Sequence, residues 1–278
     1  MNSKPAIWVD GEPATALPLP DRGLDFGDGL FETLLLQRGA PLFKQLHLER
    51  LAAGLDALSF PDCLPSVRAQ LDACAAQLVA LEWAALRLTV TRGAAPRGYA
   101  APQNAKPRII ISATELEQDR CEVPQPIKLG WAKMRWSSQP QLAGIKHLNR
   151  LEQVIAANQA RDDGWDDVVV LDQQGHVCSL SAGNLFLLES GCLLTPALET
   201  CGIAGTRRRL ILEQLAPELG LKTEQTHITP QQLASADAII CCNSIRGLQP
   251  VSRLEEQSWT DFSVCEALHQ RYSEAIAC

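Results

Sequence analysis

Several things are missing from this chain of 278 residues, and each absence excludes something. No run of about 18 uncharged apolar residues occurs, which argues against a membrane-spanning helix. The opening Met-Asn-Ser-Lys-Pro-Ala-Ile-Trp-Val-Asp has no apolar core of the secretory kind, so the expected compartment is the cytoplasm. The net charge is −7, with no basic tail or stripe, and nothing recommends nucleic acid as a partner. None of the ten cysteines forms a C-x-x-C pair, which removes the usual zinc and thioredoxin-type redox patterns. Cys241 and Cys242, adjacent in an apolar run, read as small buried thiols of a reducing compartment. The five histidines have no metal-ligand spacing, so no metal is expected. There is no H-E-x-x-H, no G-x-S-x-G elbow and no Walker-type loop. Gly27-Asp28-Gly29 lacks the third glycine of a dinucleotide fingerprint.

What is present is the composition of a soluble globular chain, 46% hydrophobic and 21% charged, long enough for one or two domains. Strand-like and helix-like blocks alternate. Ile7-Trp8-Val9 precedes the turn signal Asp10-Gly11, and Gly29 to Leu36 reads as a strand. Leu48, Leu51, Leu55 and Leu58 fall on one helical face from Lys44 onward, with Gly54 inside the stripe. Val67, Leu71, Cys74, Leu78 and Leu81 make a second stripe, opened by Pro65. Leu86 to Val90 and Arg108 to Ile111 read as strands. A polar stretch with Pro124 and Pro126 follows, which predicts a linker over 116–126 between an N-terminal α/β domain, 1–115, and a C-terminal one, 127–278. The second half offers a strand at Ile127-Lys128-Leu129, a helix from Asn149 to about Asp162, and strands at 168–171, 184–188 and 238–242. Helices striped by Leu210, Ile211, Leu215 and Leu219, and by Val264, Leu268 and Tyr272, complete it.

Four segments can carry chemistry. Lys146, one of only seven lysines, follows a glycine turn and an apolar residue just before a helix. A lysine tucked into such a spot serves as a nucleophile or base, while a solvated lysine at a helix start is the plainer alternative. Gly202-Ile203-Ala204-Gly205-Thr206-Arg207 runs into a helix, and small residues at a helix N-terminus let an anion approach the backbone. Many such connections hold nothing. Cys242-Asn243-Ser244 ends a buried strand, where α/β proteins gather ligands, and Ser244 is a donor for a phosphate or carboxylate unless this is an ordinary Asn-Ser turn. Arg97-Gly98-Tyr99 lies in a Gly/Ala/Pro-rich loop. The planar fork of Arg97 matches a carboxylate, although many loop arginines are merely solvated.

Taken together, these segments resemble a known family. Asp21-Arg22-Gly23-Leu24-Asp25-Phe26-Gly27-Asp28-Gly29-Leu30-Phe31-Glu32-Thr33 resembles the opening signature of the fold type IV pyridoxal-phosphate enzymes, and His47-Leu48-Glu49-Arg50-Leu51 resembles the helix that supplies their phosphate-binding arginine. The segment from Gly144 to Val154, GIKHLNRLEQV, and the Arg97-Gly98-Tyr99 loop resemble those of the 4-amino-4-deoxychorismate lyases. Asn184-Leu185-Phe186, Gly202 to Arg207, and Asn243-Ser244 followed by Gly247 and Pro250-Val251 extend the likeness over nearly the whole chain.

The resemblance implies an α/β (α+β) fold of two domains, like the D-amino acid and branched-chain aminotransferases. It also implies a homodimer and pyridoxal 5′-phosphate as cofactor. It gives Lys146 the Schiff base and Arg50 the phosphate, together with the Ile203 and Ala204 amides, Asn243 and the Ser244 hydroxyl. Arg97, Tyr99 and Arg87 would face the substrate carboxylates, and Thr33 would assist proton steps. The implied activity is conversion of aminodeoxychorismate to 4-aminobenzoate and pyruvate in folate precursor synthesis.

The sequence departs from the family at one place. Five residues before Asn184, where the family carries a glutamate against the pyridine nitrogen, stands Ser179. A hydroxyl donates to a neutral ring nitrogen but does not stabilise a protonated one as a carboxylate does, so the ring is a weaker electron sink. This disfavours transamination more than an elimination driven by an aromatic product. The alternatives are a fold type IV aminotransferase, a cofactor-binding protein with weakened or lost catalysis, and a globular α/β protein without cofactor.

Overall fold

Asp10 and Gly11 both take left-handed backbone angles, φ 51° and 90°, as a tight turn between β1 (Ala6–Val9) and β2 (Glu12–Pro13) requires. The computed structural model describes residues 6–96, 98–122 and 124–276. Contacts divide the chain into two units, Met1–Asp119 with Ile145–Asn149, and Arg120–Gly144 with Arg150–Cys278.

In the first unit, β3 (Gly29–Gln37), β4 (Ala40–Pro41), β5 (Trp83–Thr91) and β6 (Arg108–Glu115) join that hairpin in an antiparallel sheet of order β2-β1-β6-β5-β3-β4. Leu34, Leu35 and Leu36 are all buried, so β3 is covered on both faces. On one face lie the helices α2 (Lys44–Ala57) and α3 (Leu64–Ala75). Leu48, Leu51 and Leu55 of α2 share a cluster with Val67 and Leu71 of α3 and with Leu30, Leu34, Leu86 and Leu88 of the sheet. A Cβ on Gly54 would lie 3.0 Å from Leu30 Cδ2, so the helical glycine marks close packing of α2 on β3. A short helix, α1 (Arg22–Phe26), precedes β3. Asp21 caps its start by accepting from Gly23 N–H, and Gly27 closes it in the left-handed region.

The second unit is built on a mixed sheet. Its strands are β7 (Ile127–Arg135), β8 (Asp167–Leu171), β9 (Val177–Leu180), β10 (Asn184–Glu189), β11 (Cys192–Pro196), β12 (Lys222–Thr226), β13 (Ala238–Asn243), β14 (Gly247–Leu254) and β15 (Gln257–Ser258). They lie in the order β12-β11-β10-β13-β14-β7-β8-β9, with β15 beside β14. The parallel pair β7 and β8 is joined through α4 (Leu151–Asp163). The parallel pair β11 and β12 is joined through α5 (Thr206–Leu210), a π-helical turn at Ile211–Leu215 and α6 (Ala216–Glu218). α7 (Pro230–Ala234) carries a full capping box from Thr229 and Gln232, and α8 (Ser263–Ile276) buries Cys265, Leu268 and Tyr272.

The chain passes from the first unit to the second at Asp119–Arg120, within the 116–126 stretch, which holds no helix or strand among the described residues. It then returns for Ile145–Asn149 before α4. The lysine segment, which the sequence reading assigns to a C-terminal domain, therefore packs with the first unit. The reason is backbone pairing to β3. For the same reason α4 begins at Leu151 rather than Asn149, whose side chain is engaged elsewhere.

Candidate active site

Lys146 is seated by hydrogen bonds along β3. Phe31 N–H donates to the Lys146 carbonyl and Leu148 N–H to the Gly29 carbonyl, both at 3.0 Å, with Leu30 and His147 bridged between them. Asn149 Nδ2 donates to the Gly27 carbonyl at 3.2 Å. Side chains at the two glycines would block this seat. A Cβ on Gly27 would stand 2.4 Å from Asn149 Oδ1, and one on Gly29 would stand 2.5 Å from the Val90 carbonyl oxygen and 2.7 Å from Leu148 Cδ1. The glycines of Gly27-Asp28-Gly29 thus hold the lysine-bearing segment rather than a nucleotide.

The Lys146 Nζ lies 4.3 Å from the centroid of the Phe31 ring, and the Arg87 guanidinium carbon lies 4.0 Å from the same ring. Aromatic faces attract cations. Thr33 pairs directly across from Arg87 between β3 and β5, so it shares a face with Arg87 and, two residues along, with Phe31. The structure therefore gathers Lys146, Arg87 and Thr33 about one aromatic ring. Tyr99 is 88% exposed, with its ring 5.3 Å from Phe26. Arg97 lies outside the described residues.

Alternation turns Glu32 to the opposite, helix-bearing face, where it is buried. His47 Nδ1 lies 2.6 Å from Glu32 Oε2, and Arg50 Nε donates to Glu32 Oε1 at 2.8 Å. Burial pushes this carboxyl up, but the Arg50 charge and the His47 and Arg50 hydrogen bonds outweigh it and hold its pKa at about 2. Glu32 is thus ionised and fixes the Arg50 guanidinium in place. Its role was not read from the sequence, although one acidic residue inside the apolar run Leu30 to Leu36 was an available signal.

In the second unit, Gly144 N–H donates to the Gly202 carbonyl and Ala204 N–H donates back to the Gly144 carbonyl, each at 3.0 Å. The Ala204 amide is therefore already engaged by the residue two before Lys146. Asn184 Nδ2 donates to the Ile203 carbonyl at 2.9 Å, and a Cβ on Gly205 would stand 1.9 Å from Asn184 Oδ1. Gly205 is the N-cap of α5, so the Gly202–Gly205 loop is locked against the positive end of a helical segment. Arg207, buried, donates from Nη2 to the Ser244 carbonyl at 3.2 Å. The Asn243 side chain accepts from Ile245 and Arg246 N–H at 3.0 and 2.7 Å and donates to the Ala182 carbonyl, which shapes the turn that carries Ser244.

Ser179 is buried in β9. Its Oγ accepts from Trp136 Nε1 at 2.9 Å and donates to the Leu180 carbonyl at 3.0 Å. The hydroxyl is thus held between an indole donor and a backbone acceptor, with no carboxylate at that position. Trp136 was another residue the sequence reading did not single out, because its partner lies 43 residues away.

Known proteins resemble this chain over most of its length. The family model described as amino-transferase class IV matches residues 29–254. A curated relative, the aminodeoxychorismate lyase of Vibrio harveyi, is 35% identical over 247 residues, covering 88% of this chain and 90% of the relative. Among solved structures, 4-amino-4-deoxychorismate lyase from Pseudomonas aeruginosa superposes with a TM-score of 0.88 at 37% identity, covering 96% of this chain and 98% of the other. A hypothetical aminotransferase from Mycobacterium tuberculosis in a PLP-bound form shares the fold at 20% identity, with a TM-score of 0.82 and 98% of each chain covered. With Lys146 seated on β3, and a family match running through both units, this chain belongs to the amino-transferase class IV family.

Proposed function

We propose that this protein is a pyridoxal-phosphate-dependent lyase that converts 4-amino-4-deoxychorismate to 4-aminobenzoate and pyruvate. The observation that carries the reading is the placement of Lys146, within GIKHLNRLEQV, on a glycine-bordered seat beside Phe31, Thr33 and Arg87. The extent and identity of the match to two lyases supports the choice of reaction.

The donor set suits the coenzyme: a primary amine for an aldehyde, and a guanidinium, a hydroxyl and a helix N-terminus for a dianion. When bound, pyridoxal phosphate supplies a carbonyl that condenses with amines and a ring that accepts electrons from the amine-bearing carbon. Lys146 would hold it through Nζ. Arg50, braced by Glu32, binds the phosphate with the Ser244 hydroxyl and the Ile203–Ala204 backbone, where Ala204 contributes chiefly a small side chain. Asn243 orients Ser244 through the turn. With its Nζ free, Lys146 would take the proton from the substrate's amine-bearing carbon and return it to the departing pyruvate enol. Thr33 assists at that proton, and Arg87, Arg97 and Tyr99 bind the substrate carboxylates.

Ser179 would face the ring nitrogen with a hydroxyl that now donates to the Leu180 carbonyl, and donation to a neutral nitrogen would require that proton to turn from the carbonyl. With no carboxylate to hold the ring protonated, the position suits an elimination whose product is aromatic better than transamination. The reading includes a homodimer in a reducing, cytoplasmic setting. Leu151, Val154 and Ile155 lie exposed at helical spacing on α4, an apolar stripe that a second copy would cover. Seven of the described cysteines are buried free thiols, as in reducing compartments.

The test is pyruvate release from 4-amino-4-deoxychorismate. Lys146→Ala is expected to lower turnover by about 10³-fold or more, within the range for loss of a proton-transfer group. Borohydride reduction of the wild-type protein should fix the coenzyme to the Lys146 peptide by mass. Full turnover in the alanine variant sinks the assignment. Steady formation of pyridoxamine phosphate with an amino acid, without pyruvate release, would make the protein a transaminase instead. A bound coenzyme with neither reaction would make it a binding protein.

A further inference from the structure

Arg22, at the start of α1, is 4% exposed. Nη1 donates to the Gly98 carbonyl at 2.8 Å, Nη2 to the Tyr99 carbonyl at 2.7 Å, and Nε to Asp28 Oδ2 at 2.7 Å. Its guanidinium carbon is 4.8 Å from the centre of the Phe26 ring, which in turn meets Tyr99. Gly98 and Tyr99 belong to the connection between β5 and β6, whose ends are drawn together: a Cβ on Gly93 would lie 2.2 Å from the Lys106 carbonyl oxygen. Between these ends no helix or strand holds the described residues, so the chain forms a necked loop of the Ω type. Burying a guanidinium to hold two carbonyls of an exposed loop is a poor way to gain stability, because desolvation offsets the attraction. It is a good way to select one loop conformation.

From this we infer that Arg22 is a positioning residue for substrate recognition: it fixes the two residues that follow Arg97 and so sets the substrate-facing loop. The inference rests on the lyase reading above, in which Arg97 and Tyr99 bind the substrate carboxylates. Asp28 completes the device. It also accepts from Arg92 Nε at 2.9 Å, and Arg92 donates to the Leu58 and Ser59 carbonyls behind α2. Asp28 stands between the two glycines that seat the lysine segment, so one carboxylate ties the loop anchor to the Lys146 seat.

The test uses the coenzyme-loaded full-length protein and Arg22→Lys. Lysine keeps the charge beside Asp28 but has no planar fork to span two successive carbonyls. KM for 4-amino-4-deoxychorismate should rise about tenfold, with kcat within about threefold, as loss of near 1.4 kcal/mol of binding would give. Coenzyme absorbance should be unchanged. Limited trypsin digestion should cut after Arg97 roughly tenfold faster, since a released loop opens more often. KM and cleavage at wild-type values overturn the inference, as does a fall in kcat at constant KM. Should Arg22→Lys fail to fold, Phe26→Ala, which removes only the ring against the guanidinium and Tyr99, must raise KM and cleavage in the same direction or the inference fails. If the wild-type protein releases no pyruvate, the lyase reading falls, and the cleavage measurement still decides the anchor.

Discussion

Glu32 shows how a single residue couples stability to the candidate site. Its side chain is 1% exposed on a strand in which it is the one charged residue, and its charge persists there through Arg50 and His47. Because its pKa in the folded chain, about 2, lies below the ordinary 4.5, the stabilisation is complete above about pH 4.5. It is lost as pH falls toward 2. On the order of 3 kcal/mol of unfolding free energy should disappear over that window. Glu32→Gln should lack this acid limb, and at neutral pH it should also weaken phosphate or coenzyme binding, because Arg50 loses its brace. Denaturant unfolding at a series of pH values, with coenzyme titration at pH 7, checks both. The thiols act in the opposite sense. Burial pushes Cys242 and Cys265 up to about 12, which keeps them protonated and unreactive near neutrality.

At the scale of an element, the decisive contact is that of β3 with the lysine segment, and two glycine substitutions separate it from ordinary packing. Gly29→Ala drives a Cβ into the Val90 carbonyl, a backbone atom that cannot turn aside. We expect a loss of about 1–3 kcal/mol, the usual range for overpacking, together with impaired coenzyme fixation at Lys146. Gly54→Ala meets the movable end of Leu30 at 3.0 Å. The better helix propensity of alanine, up to about 1 kcal/mol, offsets that crowding, so stability should change little. Thermal unfolding of the two variants, with borohydride trapping, distinguishes a seat for the lysine from a merely tight fit. If both substitutions behaved alike, the seat would have no special role.

At the scale of the whole molecule, the chain visits the first unit twice. A cut within the 116–126 stretch therefore does not free an intact N-terminal unit. The fragment 1–119 lacks the residues whose backbone pairs with Gly29 and Phe31, and Ile145, which packs against its core cluster. This fragment should unfold with low cooperativity or aggregate. The full chain nicked in the same stretch should keep its structure, because the returning segment stays in place. Circular dichroism melts of the two preparations make the comparison, and a well-folded, cooperative 1–119 fragment would show that the return segment is dispensable.

Much of the fold was legible in the chain itself. The leucine stripes of α2 and α3 carry helical period, and the apolar runs of β3, β5, β8, β10 and β13 carry strand signals, because each buries a continuous face. β12, written Lys222-Thr223-Glu224-Gln225-Thr226, shows no such pattern: it is a polar edge strand whose partner β11 fixes it. Lys146, Arg50, Ser179 and Ser244 stand out in the sequence through motif and spacing. Their environments do not. Whether Arg50 meets Glu32, whether Trp136 holds Ser179, whether the Ala204 amide is engaged by Gly144, and where Arg22 reaches all depend on pairs from 18 to 77 positions apart. Residue type and periodicity act along the chain and set which chemistry is available. Hydrogen-bond partners, burial and the seat of Lys146 depend on which backbones approach one another in space, and only the folded chain decides that.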